Sequence, residues 1–263
     1  MTWIKAAYPK KSLGQHFLRD PRVRDRLVQA IDPKGDDFLV EIGPGEGVLT
    51  EALASSAGRL IAIEIDPSLA LALSRRLPNV EVIVQDVLEV DFSSLGENLK
   101  VAGNLPYYIS TPILFHLLKF PNIASMHFLL QKEVAERLAS PPGSRIYGRL
   151  SVMVQEKCEV KKGFLVKPGS FFPPPKVDSM QVSLYPCPPR VPLLDEELFS
   201  RLVRLAFSKR RKMLKGALFP EIKEETLERA GLDPCLRPEA IPPEGYVRLA
   251  NILALEKRVL ASI

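Results

Sequence analysis

Two short stretches of the 263-residue chain carry polar groups at spacings that could do chemistry. The first is Asn104-Leu105-Pro106-Tyr107, which directly follows an apolar run. An aromatic amine such as adenine N6 is a poor nucleophile because its lone pair is delocalised into the ring. Acceptors for both N–H hydrogens would localise that pair. Asn104 can offer its side-chain carbonyl, and Leu105 can offer a backbone carbonyl that Pro106 keeps out of strand pairing.

Tyr107 adds to this stretch a ring on which a base can stack. No strong general base is required, because the proton becomes acidic only after the nitrogen has been alkylated. Catalysis would then consist mostly of positioning the amine in line with the carbon it attacks. Taken alone, the four residues are equally typical of a strand-to-helix turn with an asparagine cap and a core tyrosine.

The second stretch is a glycine loop, in which Gly43, Gly45 and Gly47 lie between a predicted strand and a predicted helix. This is where doubly wound sheets bind nucleotide-like ligands. The third glycine comes one residue too early for the dinucleotide fingerprint G-x-G-x-x-G, and no Gly-Lys-Ser/Thr follows as in a P-loop. The spacing therefore counts against a nicotinamide or flavin cofactor and against a phosphate-binding loop.

Acidic residues end the two strands predicted after the loop. Glu64 lies about 20 residues beyond the loop, where a carboxylate can accept from both ribose hydroxyls. Asp86 ends the following strand, where it can accept from an adenine amine. The alternative is that Glu64, Asp66 and Asp86 only cap helices. The loop and the two acids together favour a ligand that contains a nucleoside.

The spacing E-x-G-x-G-x-G, which begins at Glu41, resembles motif I of class I S-adenosylmethionine-dependent methyltransferases. The stretch "NLPY" followed by "IST" resembles the ribosomal RNA adenine dimethyltransferase family, with Leu105 where other amino-methyltransferases carry proline. The resemblance implies an α/β fold with a class I, Rossmann-like sheet and a small all-α C-terminal domain. It also implies methyl transfer from S-adenosyl-L-methionine, without a metal, to N6 of two adjacent adenosines. These would lie in a hairpin loop near the 3′ end of small-subunit ribosomal RNA.

The resemblance also assigns roles to individual residues. In the family, the segment before the first strand folds over the methyl donor, and many relatives carry Asn where this chain has His16. Phe171, which precedes a run of prolines, would close over the flipped base opposite Tyr107. The predicted catalytic residues are Asn104, Leu105, Tyr107 and Phe171. The predicted residues of the methyl-donor site are Gln15, His16, Leu18, Glu41, Gly43, Gly45, Glu64, Ile65, Asp86, Val87 and Asn104.

The elements that must position these residues alternate along the chain. Apolar runs predict strands over residues 38–43, 59–66, 80–86, 99–104 and 124–131. Between them, helical patterns are predicted over residues 47–56 and 67–77, and Asp20 is expected to cap a helix that begins at Pro21. Such alternation is typical of a parallel sheet with helices on both faces. Residues 150–160 and 179–186 are predicted to complete the sheet as an antiparallel edge.

A proline-rich stretch, 186–192, marks the predicted boundary between a methyltransferase domain (1–187) and a helical RNA-binding domain (188–263). Helices are predicted over residues 195–218, 221–231 and 242–260. The first of these contains a basic cluster that favours contact with the phosphate backbone over a merely solvated face. Its predicted RNA-binding residues are Arg204, Lys209, Arg210, Arg211, Lys212 and Lys215. A continuous helix would place Arg204, Arg211 and Lys215 on one face.

The composition gives a mild excess of 36 Lys and Arg over 31 Asp and Glu, a net charge of +5. The three cysteines are odd in number and widely spaced, which argues against a disulfide framework and favours a reducing compartment. The sequence start has no apolar leader. We therefore expect a cytoplasmic protein, and we expect it to be a monomer. The resemblance implies that it acts on RNA within an assembling small subunit. Two alternatives remain open: a large-subunit methyltransferase of the antibiotic-resistance type, and a non-catalytic nucleic-acid-binding factor on the same fold.

Overall fold

The computed structural model describes residues 14–209 and 211–261, the last five of them without their side chains. The chain forms two compact units. The first unit comprises residues up to 135 together with 160–186, and the second comprises 136–159 together with the chain from 187 onward. The predicted division into 1–187 and 188–263 differs from this grouping, because the segment 136–159 belongs to the second unit.

The secondary structure alternates as predicted through most of the first unit. In chain order, the strands are β1 (Phe17–Leu18), β2 (Phe38–Ile42), β3 (Arg59–Glu64), β4 (Glu81–Val84), β5 (Leu99–Asn104), β6 (Ile123–Gln131), β7 (Cys158–Val166), β8 (Phe171–Phe172) and β9 (Ser179–Pro186). The helices are α1 (Pro21–Ile31), α2 (Val48–Ala54), α3 (Pro67–Arg76), α4 (Ser110–Leu117), α5 (Lys132–Leu138), α6 (Arg149–Gln155), α7 (Glu196–Ser208), α8 (Leu214–Leu218), α9 (Glu224–Arg229) and α10 (Pro243–Ala261).

A seven-stranded sheet in the order β4-β3-β2-β5-β6-β9-β7 dominates the first unit. The pairs β2/β3, β3/β4, β2/β5 and β5/β6 are parallel, and β9 runs antiparallel to β6. The α/β class and the antiparallel end of the sheet are thus confirmed. The strand order reverses between β2 and β5, and in open α/β sheets ligands bind at such a reversal, beyond the carboxyl ends of the strands.

Helix α1 shows how the sequence forms these elements. Asp20 caps it by accepting a hydrogen bond from the backbone N of Arg22, as predicted, and Pro21 occupies its first turn. Val23, Leu27 and Ile31 recur on one helical face and are buried in a core cluster with residues of β2, β3, α2 and α3. The chain therefore reaches the first long strand with its direction fixed by a capped, amphipathic helix.

The strand predicted over residues 150–160 is wrong at its beginning. Residues 149–155 form helix α6, and β7 starts only at Cys158. Every residue from Leu150 to Val154 is buried, and all but Ser151 are apolar, so the periodicity of the run does not distinguish a buried helix from a buried strand. The hydroxyl of Ser151 accepts from the backbone N of Gly148 and donates to the carbonyl of Arg137, which fixes the helix start.

The second unit has its own core, which explains why 136–159 belongs to it. The rings of Tyr147 and Tyr246 are fully buried, and their hydroxyl groups donate to the carbonyls of Ile241 and Pro238, respectively. The ring of Phe207, on α7, lies 6.3 Å from that of Tyr147 and 6.1 Å from that of Tyr246.

Within the described ranges, no helix is both long and apolar enough to span a bilayer.

The long helix predicted over residues 195–218 is interrupted. Helix α7 ends at Ser208 and α8 begins at Leu214, so Lys209, Arg211 and Lys212 lie between the two helices, whereas Arg204 lies in α7 and Lys215 in α8. The backbone N of Leu214 donates to the carbonyl of Leu236, and that of Lys215 donates to the carbonyl of Pro234. These partners replace the bonds that a continuing helix would make. The prediction that Arg204, Arg211 and Lys215 share one helical face is therefore wrong.

Candidate active site

A cleft lies at the carboxyl ends of β2, β3, β4 and β5. Its lining comes from the segment before α1 (14–18), the glycine loop (41–46), the end of β3 (63–65), the turn after β4 (85–88) and the turn after β5 (104–109). The predicted site residues that line it are Gln15, His16, Leu18, Glu41, Gly43, Gly45, Glu64, Ile65, Asp86, Val87, Asn104, Leu105 and Tyr107. Five separate segments thus meet where the strand order reverses.

The glycine loop adopts a conformation that needs glycine. The φ angles of Gly43, Gly45 and Gly47 are +65°, +56° and +76°, in the left-handed region. A Cβ at Gly45 would lie 2.9 Å from Cδ1 of Phe17, so that residue also allows the segment before α1 to approach the loop. At Gly43 nothing lies within 4 Å of the position of a Cβ, which leaves space for a ligand against the backbone.

Glu64 ties the loop to the end of β3. One of its carboxylate oxygens accepts from the backbone N of Gly45 at 3.2 Å, and the other accepts from the backbone N of Asp66 at 2.9 Å. Glu64 is buried, and this burial raises the pKa of its carboxyl group. Asp66 itself caps α3 by accepting from Ser68 N, so the capping alternative holds for that residue.

Asp86 combines a structural bond with a remaining acceptor. Its Oδ1 accepts from the backbone N of Leu88 at 2.9 Å and caps the short 3₁₀ turn that follows. Its Oδ2 makes no hydrogen bond to any other residue in the part of the chain that the structure describes. Two apolar side chains accompany the acids at the cleft: Ile65, which is 47% exposed, and the buried Val87.

Glu41 is the most deeply buried acid of the cleft. It is 2% exposed, and its Oε2 has no hydrogen-bond partner among residues 14–209 and 211–261. Burial raises the pKa of Glu41 to about 7, and the nearby charge of Glu64 also raises it. The cleft thus contains, beside the glycine loop, a buried carboxyl group with one unpaired oxygen. The negative charge of this group, when ionised, would stabilise a cationic ligand bound at the loop.

The raised pKa of Glu41 predicts a pH dependence of stability. The pKa of Glu41 is about 7 in the folded state, compared with the ordinary value of 4.5. The neutral carboxyl group therefore stabilises the folded state fully below pH 4.5, and this stabilisation is lost as the pH rises to 7. We expect the free energy of unfolding of the wild type to fall by about 3 kcal/mol relative to Glu41→Gln over this interval. Denaturant titrations at several pH values measure the difference. The exposed Glu97→Gln is the control, and equal pH profiles for wild type and Glu41→Gln would contradict the prediction.

Asn104 has a defined orientation in the cleft. Its side-chain Nδ2 donates to the backbone carbonyl of His16 at 2.7 Å. A carbonyl only accepts, so this bond identifies the amide nitrogen and leaves Oδ1 as the acceptor that the side chain can present to a ligand. The next residue, Leu105, donates its backbone N–H to the carbonyl of Leu129, and among the described residues nothing donates to its own carbonyl.

Tyr107 is held at two points. Its hydroxyl group is hydrogen-bonded to Oγ of Ser179, and its ring stacks on that of His16 with a centroid distance of 5.5 Å and an angle of 30°. Burial raises the pKa of Tyr107, so the hydroxyl group stays protonated at neutral pH. Nδ1 of His16 in turn donates to the carbonyl of Pro173 at 2.7 Å. The imidazole thus contacts Tyr107 and the proline segment as well as lining the cleft.

Phe171 differs from its predicted place. Its ring is 4% exposed and belongs to the hydrophobic core, and Phe171 is not among the residues that line the cleft. The cause is the antiparallel pairing of β8 with β1, in which Phe171 is opposite Leu18 and Phe172 is opposite Phe17. Successive side chains of a strand point to opposite sides. Phe172 is accordingly 44% exposed, with the guanidinium group of Arg19 4.2 Å from its ring centroid.

The predicted RNA-binding cations of the second unit are exposed to different degrees. Arg204, Lys209, Arg211 and Lys212 are exposed, whereas Lys215 is half-buried and pairs with Glu224 at 3.3 Å. Arg210 lies outside the described residues.

A small pocket of the second unit gathers residues that the sequence analysis missed. Arg211 lines it together with Arg145 and Arg237, and Gly143 and Glu239 complete the lining. The sequence alone did not indicate Arg145 and Arg237, because both are distant from the basic cluster along the chain and neither belongs to a basic run. The guanidinium groups that could meet a phosphate thus come from three separate segments.

Comparison with known families and relatives places the geometry in context. A family model described as "Ribosomal RNA adenine dimethylase" matches residues 7–255. A "Ribosomal RNA small subunit methyltransferase A" of Pseudomonas aeruginosa is 49% identical over 93% of this chain and 94% of its own length. The protein of the same name from Xanthomonas campestris pv. campestris (strain B100) is 46% identical over 94% and 97% of the two chains.

Solved structures show the same likeness. A dimethyladenosine transferase from Plasmodium falciparum is 27% identical, with a TM-score of 0.76 over 92% of this chain and 98% of its own. The 23S rRNA methyltransferase ErmE is 29% identical, with a TM-score of 0.70 over 90% and 99% of the two chains. The fold of the cleft-bearing sheet is therefore that of Rossmann-like methyltransferases.

Proposed function

Because the chain belongs to the ribosomal RNA adenine dimethylase family, we propose that it methylates two adjacent adenosines near the 3′ end of small-subunit ribosomal RNA. The methyl groups come from S-adenosyl-L-methionine, and each target becomes N6,N6-dimethyladenosine. The observation that carries the proposal is the Asn104 side chain, whose Oδ1 is left as an acceptor in the cleft that also contains the glycine loop.

The residues of the cleft fit the methyl donor. The free Oε2 of Glu41 gives a counter-charge for a cationic ligand, and the open space at Gly43 lets the ligand lie against the backbone. The carboxylate of Glu64 can bind the ribose hydroxyls, and Oδ2 of Asp86 can accept from the adenine amine. The exposed side chain of Ile65 can cover the adenine ring. When bound, the donor supplies an activated methyl group on a positively charged sulfur.

The protein's own groups act on the adenosine. In the first transfer, Oδ1 of Asn104 and the carbonyl of Leu105 accept the two N6 hydrogens, so that the lone pair of the nitrogen is directed at the methyl carbon. In the second transfer N6 carries one hydrogen, and one of these two oxygens accepts it. Tyr107, held by Ser179 and His16, offers its ring to the base. Because the proton is lost to water after transfer, no side chain has to act as a strong base.

RNA recognition is assigned to both units. A target adenosine must leave its stack to reach Asn104, and extrusion costs least in a loop, where bases are unpaired. We propose that the cations of the second unit bind the phosphate backbone of the RNA. These cations include Arg145 and Arg237 as well as Arg211. The proposal further places the enzyme in the cytoplasm, as a monomer acting on an assembling small subunit.

Two other functions fit part of these observations. The similarity to ErmE would also fit a large-subunit enzyme, but the relatives at 46% and 49% identity are named as small-subunit methyltransferases. A non-catalytic nucleic-acid binder would not need an oriented Asn104 beside a glycine loop and three acids. The small-subunit enzyme therefore accounts for more of the observations than either alternative.

The decisive experiment gives the protein isotopically labelled S-adenosyl-L-methionine with small-subunit or large-subunit RNA in separate reactions. Label should enter small-subunit RNA, as N6,N6-dimethyladenosine at two adjacent positions, and should not enter large-subunit RNA. Transfer to large-subunit RNA alone would establish the large-subunit alternative. RNA binding without any transfer, to naked RNA or to small-subunit particles, would establish the non-catalytic one.

Neutralising the arginines of the second-unit pocket should weaken RNA binding through its ionic component. For Arg211→Gln combined with Arg237→Gln, we expect the slope of log K against log salt to become shallower by about 1.5, since each lost phosphate contact removes about 0.7–0.9. Binding titrations at several salt concentrations measure the slope. Arg75→Gln, an exposed cation on α3, is the matched control. An unchanged slope in the double variant would assign the backbone contacts to other cations.

A further inference from the structure

Tyr108 is an aromatic residue of the cleft that the proposed chemistry does not use. It follows Tyr107 in the turn after β5 and lines the same cleft as Asn104. Its side chain is 57% exposed. Single exposed apolar residues are ordinary on a protein surface. Tyr108, however, lies beside the position where an extruded base would enter the cleft. Its ring is therefore placed where it can contact the RNA substrate.

The backbone of Gly14 supports the ring of Tyr108. Gly14 has a φ of +57°, and a Cβ there would lie 2.9 Å from Cδ1 and 3.2 Å from Cε1 of Tyr108. The ring therefore packs against bare backbone, and a side chain at position 14 would displace it. This contact restricts the ring on one side, which lowers the conformational entropy lost when a second planar group stacks on it.

The two consecutive tyrosines differ in what they contact. Tyr107 is bonded through its hydroxyl group to Ser179 and stacks on His16. Tyr108 makes no hydrogen bond and no ring contact with any residue in the described ranges. The first tyrosine is thus fixed by the protein, whereas the hydroxyl group and the ring of the second are available to a ligand.

We infer that Tyr108 stacks on the unpaired nucleotide next to the target adenosine and so selects RNA in which two consecutive bases are unpaired. This inference rests on the proposed function. Extrusion of the target leaves its neighbour with one face unstacked, which costs free energy. An aromatic ring adjacent to Tyr107, with Cα atoms about 3.8 Å apart, can cover that face. Stacking on aromatic side chains is the usual way in which proteins bind unpaired bases.

The test combines a protein variant with an altered RNA. Tyr108→Leu keeps apolar bulk but removes the ring, and a hairpin RNA with an abasic site on one side of the target adenosine, tested on each side in turn, removes the partner. We expect Tyr108→Leu to raise KM for the intact hairpin about tenfold. An abasic site on one of the two sides should raise KM of the wild type by about the same factor, and combining the variant with that abasic RNA should raise KM no further. The value of kcat, the Kd of the methyl donor and the melting temperature should stay unchanged.

Two further variants make the test specific. Tyr108→Phe keeps the ring and should retain the wild-type KM, and Leu71→Ala, an exposed apolar side chain on α3 outside the cleft, should have no effect. Additive increases in KM for both abasic positions would overturn the inference. So would a weaker donor Kd in Tyr108→Leu with unchanged KM for RNA, since the ring would then only support the segment at Gly14. If the wild type transfers no methyl group to small-subunit RNA either, the proposed function itself fails.

Discussion

Replacing Asn104 with alanine is expected to lower the rate of methyl transfer to RNA about 10³-fold. The variant loses the acceptor that orients the amine, while Glu41, Glu64 and the glycine loop, which we assign to the methyl donor, remain. Single-turnover transfer of labelled methyl groups measures the rate, and calorimetry measures the Kd of the donor. We expect the donor Kd to change little. Turnover within tenfold of the wild type would remove Asn104 from the mechanism.

Asn104→Asp separates the two roles of this side chain. Aspartate keeps an acceptor for the amine but cannot donate to the carbonyl of His16, so the bond that orients the amide is lost. The expected rate lies between those of the wild type and the alanine variant. A rate equal to that of alanine would mean that the bond to His16 matters as much as the acceptor itself. Melting temperatures exclude general unfolding as the cause.

Gly103→Ala is expected to destabilise the fold strongly. A Cβ at Gly103, the residue before Asn104 in β5, would overlap the carbonyl oxygen of Ile42 in β2 and lie 3.3 Å from its carbonyl carbon. Backbone atoms of a neighbouring strand cannot rotate away, so the two strands must separate. We expect a loss of about 3 kcal/mol in the free energy of unfolding, or about 10 °C in melting temperature. Thermal and denaturant unfolding measure it.

Gly35→Ala is the matched control for this substitution. Gly35 does not have a positive φ, and nothing lies within 4 Å of the position of a Cβ there. The change should leave stability unaltered or raise it by less than about 1 kcal/mol. The donor should also bind more weakly to Gly103→Ala, because Ile42 and Gly103 directly precede Gly43 and Asn104. Equal stabilities for the two variants would contradict the strand geometry described above.

The sheet was predictable because its central strands, β2, β3, β5 and β6, are mostly buried apolar runs bounded by breakers. The predicted strand 99–104 coincides with β5, and Pro67 begins α3 as expected. The segment 149–155 was not predictable in the same way, since a short, mostly apolar run such as 150–154 fits a buried helix as well as a strand. Nor does local periodicity reveal that Leu214 and Lys215 bond to a distant segment, which interrupts the helix predicted over 195–218.

The candidate site was predictable where it depends on local spacing. Glu64 and Asn104 are the last residues of β3 and β5, the glycine loop and Asp86 come just after β2 and β4, and parallel strands bring their carboxyl ends together. Phe171 was misplaced because the register of β8 against β1, which decides the side on which a ring lies, is a contact between distant parts of the chain. The hydrogen bond from Asn104 to His16 depends on the same kind of contact.

The small sheet formed by β1 and β8 also bears on how this protein folds. Its two strands come from opposite ends of the first unit, so they can meet only after almost all of that unit has been synthesised. Closing so long a loop is entropically costly, and contacts between distant segments form late. We therefore expect a nascent chain to assemble the parallel strands and the glycine loop first. We expect the segment that carries His16 to join them last, so that the complete cleft forms only then.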